Sequence, residues 1–311
     1  MTDQEEADAS GSYYGRPIIK APVWKHDITA YLFTGGLAAG SSLLAAGADL
    51  TGRPALRRGC RLTSLAALSA SAAFLIHDLG RPSRFANMLR VFKPTSPMSM
   101  GTWILTAYGP LAGLAAVTEM ADALPDGRLR GSGPAAGRAA GLGAAALAPA
   151  LATYTAVLLA DTAVPAWHQA HRHLPFVFAG SALASGAGAA LLVTPTSQTG
   201  PALHLAAAGT VLELAATSAL EHRLGLQSQA YRAPGPARLL RLARGLGLAG
   251  VAAGIAGRRS RALSAVAGAV LLAGSVCTRF GVYQAGLVSV ADPAFTVLPQ
   301  RERLERGGEG G

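Results

Sequence analysis

Long apolar stretches alternate with short polar segments from residue 28 to residue 278. A bilayer crossing takes about 20 apolar residues, and eight stretches reach or approach that length. They occupy residues 28–50, 62–79, 101–120, 140–160, 176–193, 202–220, 239–256 and 262–278. The pattern predicts an all-α integral membrane protein with about eight transmembrane helices, numbered here as spans 1 to 8.

Polar segments flank the predicted transmembrane part. Residues 1–25 open with the acidic run MTDQEEADAS, so we expect a flexible tail and no cleaved signal peptide. Residues 281–311 contain Asp292–Pro293 and Pro299, which interrupt a helix, so we expect a surface segment and a tail there. The transmembrane bundle is expected over 26–280, with a first half at 28–160 and a second half at 176–278.

The composition agrees with a membrane location. Hydrophobic residues make up 50% of the chain and charged residues 14%, whereas soluble domains are about 25% charged. A net charge of +10 would suit nucleic acid, but the cations cluster at span ends, where loops meet lipid headgroups. We therefore expect the lipid bilayer, and no nucleic acid, as a partner. The larger share of Lys and Arg lies on the N-terminal side of the spans, which favours cytoplasmic termini.

Cysteine and histidine positions argue against a metal cofactor in this chain. Cys60 and Cys277 are the two cysteines, and an iron–sulfur cluster usually takes four thiolates. The 7 histidines fall at or beyond span ends, so we expect no haem in the core. His168, His171 and His173 share one loop, where we expect a solvated or partner-facing segment in preference to a metal site.

Polar residues gather at one predicted membrane face. Spans 1, 3 and 5 start at this face, and spans 2 and 4 end there. Tyr and His can donate hydrogen bonds to the carbonyl oxygens of a quinone, and carboxylates can relay its protons. The pattern therefore predicts a quinone site, although each residue alone could merely cap a helix or pair with an arginine. The residues are His26, Asp27, Tyr31, His77, Asp78 and Asp161, with Tyr154 somewhat deeper.

Three carboxylates are candidates for proton transfer. Asp78 and Asp161 lie at span ends, and Glu213 lies near the middle of span 6. Ionisable groups inside a membrane are costly and mark functional sites. Two alternatives stay open beside the quinone reading: a proton- or ion-conducting transporter or pump subunit, and a purely structural anchor.

The segment between spans 2 and 3 carries a further signal. It reads IHDLGRPSRFANMLRVFKPTSPMSMGTW from Ile76 to Trp103. It contains three prolines and several Met and Phe residues that we expect to be buried. It also contains a spaced row of cations with no carboxylate among them, which predicts a docking surface for a partner. The cations are Arg81, Arg84, Arg90 and Lys93.

The chain resembles the NrfD/PsrC family, the membrane anchors of polysulfide reductase-like molybdoenzymes. The matching motifs are WKHDITAYLFTGGLAAG, HDLGRPSRFANMLRVFKPTSPMSMGTW, YTAVLLADTAVPAWH, LPFVFAGSALASG and RFGVYQAGLVSVADPAFTVLPQR. The resemblance implies two four-helix bundles without haem and a menaquinone or ubiquinone site near one face. It implies that Tyr154, His26, Asp27 and Tyr31 line that site.

The resemblance also implies partners and a location. A ferredoxin-like iron–sulfur subunit with four clusters would face the basic loop 81–93, and a molybdenum or tungsten catalytic subunit would lie beyond it. The chain would be a multi-pass protein of the inner (plasma) membrane that holds the quinone half-reaction. The GRPSRF and KPTSPMS motifs are similar to those of anchors paired with formate dehydrogenase-like subunits.

Overall fold

The computed structural model describes residues 18–22, 24, 26–79, 87–121 and 133–308. Within these ranges, eight helices are long and apolar enough to cross a membrane, which confirms the predicted all-α membrane fold. They are α1 His26–Leu50, α2 Pro54–Asp78, α3 Pro97–Ala121, α4 Gly133–Ala160, α5 Leu174–Val193, α6 Gly200–Arg223, α7 Pro234–Ala256 and α8 Arg261–Ala291.

Proline marks the start of most of these helices. Six of them, α2 to α7, carry a proline at their first or second position, where the missing N–H has no intrahelical partner in any case. Helix α2 therefore begins at Pro54, ahead of the apolar run predicted to start at residue 62. The intervening turns contain Arg57, Arg58 and Arg61, which a criterion based on apolar residues alone leaves out.

The last long helix differs more from the prediction. The expected end of span 8 at residue 278 is wrong, because α8 continues through Arg279 to Ala291. The added turns are mostly Gly, Ala and Val, and the helix stops where Asp292–Pro293 follows. The next residues form the helix Ala294–Gly308. Residues 1–17 of the predicted tail lie outside the described residues.

The long helices form two four-helix bundles. In the first bundle α1 packs against α2 and α4, and α3 packs against α2 and α4; in the second, α5 packs against α6 and α8, and α7 packs against α6 and α8. Helices α1 and α5 pack against each other across the boundary and are the most buried of the eight. The membrane face at which α1 begins is called the first face below, and the opposite one the second face.

Glycines allow α1 and α5 to approach closely. A Cβ atom on Gly40 of α1 would overlap the main chain of Ala182 in α5, and one on Gly186 would overlap the main chain of Gly40. Small residues permit such backbone contact between membrane helices, where lipid provides no hydrophobic drive for association. Gly40 and Gly186 therefore form the junction between the two bundles.

Candidate functional site

A pocket opens near the first face, inside the first bundle. Side chains of α1, α2, α3 and α4 line it, together with Trp24, Leu79 and Met88. Its wall is largely apolar, and three of its residues are Tyr31, Tyr154 and Asp78. We call it the phenol pocket. The structure thus brings three of the predicted site residues, from three different helices, to one cavity.

The two phenols are the central polar groups of this pocket. Tyr31 is 2% exposed and Tyr154 8% exposed. No hydrogen bond joins either hydroxyl to another residue in the described part of the chain, and both residues line the cavity. Two phenol hydroxyls that lack a partner among the described residues, beside an apolar cavity, are suited to a ligand that carries hydrogen-bond acceptors.

Helix α3 supplies residues that the sequence did not single out. A Cβ atom on Gly101 would overlap the ring of Tyr154, so this glycine leaves the space that the ring occupies. Thr102 lines the pocket and donates its hydroxyl proton to the Met98 carbonyl oxygen at 3.0 Å. Both residues lie in the stretch predicted to form the docking segment and the start of span 3, and no signal in that stretch singles them out.

The remaining residues predicted for the quinone site lie around the pocket, not in its wall. Asp27 bonds the His77 ring at 3.1 Å. His26 is exposed and stacks on Phe280 of α8, with ring centroids 6.2 Å apart. The number of predicted spans indicates the membrane face that these residues share. It does not indicate the rotation of α1 about its axis, which directs His26 toward the second bundle.

Asp161 also lies apart from the phenol pocket. Helix α4 ends at Ala160, and Asp161 is an exposed turn residue. It lines a separate cavity of about 370 Å³ with His168 and Phe295. Asp161 and Tyr154 therefore line different cavities, because the helix that carries Tyr154 ends before Asp161.

The segment after the undescribed residues 80–86 is fixed onto the start of α3. Ser99 donates a hydrogen bond to the Val91 carbonyl oxygen at 2.9 Å, and the Trp103 ring nitrogen donates to the same oxygen at 3.3 Å. The Phe92 ring meets the Trp103 ring edge-on at 5.8 Å. Phe92 is 59% exposed and Val91 62% exposed, so the expectation that the Phe residues of this loop are buried is wrong for Phe92.

Two of the predicted docking cations can be placed. Arg90 and Lys93 are exposed and flank the exposed apolar pair Val91 and Phe92. Arg81 and Arg84 lie outside the described residues. Cations beside exposed apolar side chains make a surface suited to a protein partner, since large exposed apolar patches mark interaction sites.

A second cavity adjoins the phenol pocket on its loop side. It measures about 240 Å³, whereas the phenol pocket measures about 70 Å³. The two cavities share Met88, Met98 and Thr102 in their walls. A cavity of about 150 Å³ holds benzene, so the phenol pocket is smaller than an aromatic ring requires, and the methionines separate it from the larger cavity. Methionine has three rotatable bonds and adapts readily.

Glu213 lies in the second bundle, far along the chain from the phenol pocket. It is partly buried and accepts a hydrogen bond from the Thr278 hydroxyl. Arg279 is 1% exposed and donates from Nη2 to the Phe178 carbonyl oxygen at 2.9 Å. Its Nε and Nη1 have no partner among the described residues. Glu213 acts on Arg279 electrostatically, and no residue of the phenol pocket contributes to this pair.

The histidine-rich loop shows no arrangement typical of a metal site. The rings of His168 and His171 are 6.4 Å apart, and each Nδ1 bonds a main-chain oxygen, of Ala160 and His168 respectively. Burial, and next the positive charge of Arg223, lower the pKa of His173. Across the described ranges, no three His, Cys, Asp or Glu side chains come together to hold a metal ion.

Two four-helix bundles of apolar helices, with a phenol-lined pocket near one face, define a multi-pass membrane protein with an interhelical cavity. A family model described as polysulphide reductase, NrfD, matches residues 18–220. The chain therefore belongs to the NrfD family, whose members are membrane-anchor subunits of molybdoenzyme complexes. No curated protein matches the chain. The matched residues include the whole of the phenol pocket.

Proposed function

We propose that the phenol pocket binds the head group of menaquinone or ubiquinone. The observation that supports this most is the pair of phenol hydroxyls, Tyr31 and Tyr154, that face an apolar cavity without a described partner. A quinone has two carbonyl oxygens that accept such hydrogen bonds, and its isoprenoid tail prefers an apolar route into lipid. Asp78, in the same wall, is the candidate to exchange the two protons that accompany two electrons.

In this proposal the chain holds the quinone half-reaction, and a partner supplies the metal centres. The partner surface is the exposed strip around Arg90 and Lys93, next to the cavity that adjoins the phenol pocket. A ferredoxin-like iron–sulfur subunit with four clusters would dock there, and a molybdenum or tungsten subunit, of formate dehydrogenase-like type, would lie beyond it. The complex would reside in the inner (plasma) membrane.

The test is quinol turnover by the assembled complex with Tyr154→Phe. Removing the hydroxyl deletes one hydrogen bond to the substrate, worth about 0.5–1.5 kcal/mol, so kcat/KM should fall roughly two- to tenfold while the complex stays assembled. Tyr108→Phe is the matched control, because its hydroxyl bonds Ser42 and Ser64 at 2.7 Å, outside the pocket. Equal turnover in both variants would place the site elsewhere or favour a purely structural anchor.

A second candidate function rests on two charged residues in the second bundle. Glu213 and Arg279 lie inside membrane-spanning helices, and two guanidinium nitrogens of Arg279 are buried without a described partner. The cavity beside Glu213 measures about 10 Å³, which is close to the least volume that holds one water. Glu213 could pass protons across the second bundle, either coupled to quinone turnover or in a transporter.

Proteoliposomes separate these possibilities. Glu213→Gln should abolish a proton gradient while leaving electron transfer intact if Glu213 carries protons. Flux of protons or a solute by the isolated chain would support the transporter alternative. A Glu213→Gln complex that builds the same gradient as the wild type would end the case for this residue.

A further inference from the structure

A large cavity near the second face lies far from the phenol pocket. It measures about 620 Å³, within the roughly 300–1,000 Å³ typical of ligand sites. The first turns of α2 form most of its wall, and Glu119 of α3 and Val193 of α5 complete it. The cavity shares no residue with the predicted quinone site, so an inference about it stands apart from the proposed function.

Arginines outnumber carboxylates behind this cavity. Glu119 accepts hydrogen bonds from Arg57 at 2.5 Å and from Arg61 at 3.0 Å. Asp49 pairs with Arg57 at 3.1 Å and with Arg138 at 3.3 Å. Both carboxylates therefore form ion pairs, and three arginines share their two negative charges. The cluster keeps a positive charge that no described acid neutralises.

A fourth arginine adds to this charge in the cavity wall itself. Arg58 is exposed, and its Nη2 donates to the Glu119 main-chain oxygen at 3.3 Å. No carboxylate of the described residues pairs with it. Below the arginines the wall is apolar, with Leu62 37% exposed and Val193 52% exposed. The cavity thus has a cationic end and an apolar end on the outer surface of the bundle.

We propose that this cavity binds an anionic glycerophospholipid. The phosphate group lies against Arg58 and Arg57, and an acyl chain runs past Leu62 and Val193 along the outer surface. Basic pockets between membrane helices suit acidic lipid headgroups. A free phosphate ion would leave the apolar end of the cavity unused, and a zwitterionic lipid brings no net negative charge to the arginines. A bound lipid would touch α2, α3 and α5 together, and would link the two bundles at this face.

Native mass spectrometry of the full chain, purified and delipidated in detergent, tests the proposal. Phosphatidylglycerol and phosphatidylcholine are titrated separately, and inorganic phosphate is added as a competitor. We expect one phosphatidylglycerol to bind more tightly than phosphatidylcholine and to resist an equal concentration of phosphate. Arg58→Gln should weaken that binding about fivefold, the effect of one cation near an anionic headgroup.

Two further variants keep the test specific. Arg259→Gln is the matched control, because Arg259 is an exposed cation at the same face but is not part of the cavity wall. It should bind phosphatidylglycerol as the wild type does. Leu62→Trp fills the apolar end and should weaken binding with no change in charge. Equal affinity for the two lipids, equal effects of the two arginine substitutions, or displacement by phosphate would each overturn the proposal.

Discussion

Gly101→Ala tests how the phenol pocket is built. The new methyl group would overlap the Tyr154 ring, so either the ring or α3 must move. Overpacking of this kind costs about 1–3 kcal/mol. Alanine also favours the helix over glycine by roughly 0.5–1 kcal/mol. The net change in the free energy of unfolding should therefore range from near zero to about 2.5 kcal/mol of destabilisation.

Gly113→Ala in the same helix is the matched control. A Cβ atom there has nothing within 4 Å, so only the helix preference remains and the variant should be slightly more stable. The two variants should differ by about 1–3 kcal/mol, measured by denaturant unfolding in detergent. Quinol turnover by the assembled complex should fall for Gly101→Ala, with a raised KM, and stay at the wild-type value for Gly113→Ala. Equal stability and equal turnover would refute the close packing of Gly101 on Tyr154 and its role in the pocket.

Two more predictions concern the scaffold. Gly40→Leu should separate α1 from α5 and lower the folded yield in detergent. Gly47→Leu should not lower the yield, because a Cβ atom there has nothing within 4 Å. Equal yields of the two variants would contradict the close contact between α1 and α5 at Gly40. Glu119→Gln should destabilise the chain by about 3 kcal/mol, because it leaves buried arginine charge uncompensated. Glu221→Gln, at a partly exposed pair with Arg244, should cost at most about 1 kcal/mol. If denaturant unfolding shows that Glu221→Gln destabilises the chain more than Glu119→Gln, the proposed importance of the ion pairs around Glu119 is contradicted.

The transmembrane architecture could be predicted because it depends on the length and spacing of apolar runs. The prediction failed where helices continue beyond those runs. Helix α2 starts earlier, at Pro54, and its first turns carry arginines that pair with Glu119, a contact between residues distant in the sequence. Helix α8 extends past residue 278 because nothing before Asp292–Pro293 stops it.

The sequence predicted the membrane face at which the site residues lie, but not which of their side chains line the pocket. Counting crossings placed His26 and Tyr31 at the same face, but helix rotation decides that Tyr31 lines the pocket and His26 contacts Phe280. That rotation is set by packing between bundles, which the periodicity of one helix does not reveal. Gly101 was missed for a related reason, since its role appears only when Tyr154 from another helix is placed beside it.

The pocket itself can be tested with a photoreactive azidoquinone. The assembled complex is labelled in the membrane, with excess unmodified quinone as competitor, and the labelled peptides are identified by mass spectrometry. We expect competed labelling in the segment 98–102 of α3 or around Tyr154 of α4. Competed labelling confined to α6, α7 or α8, with none in these two segments, would contradict a quinone site between the two phenols.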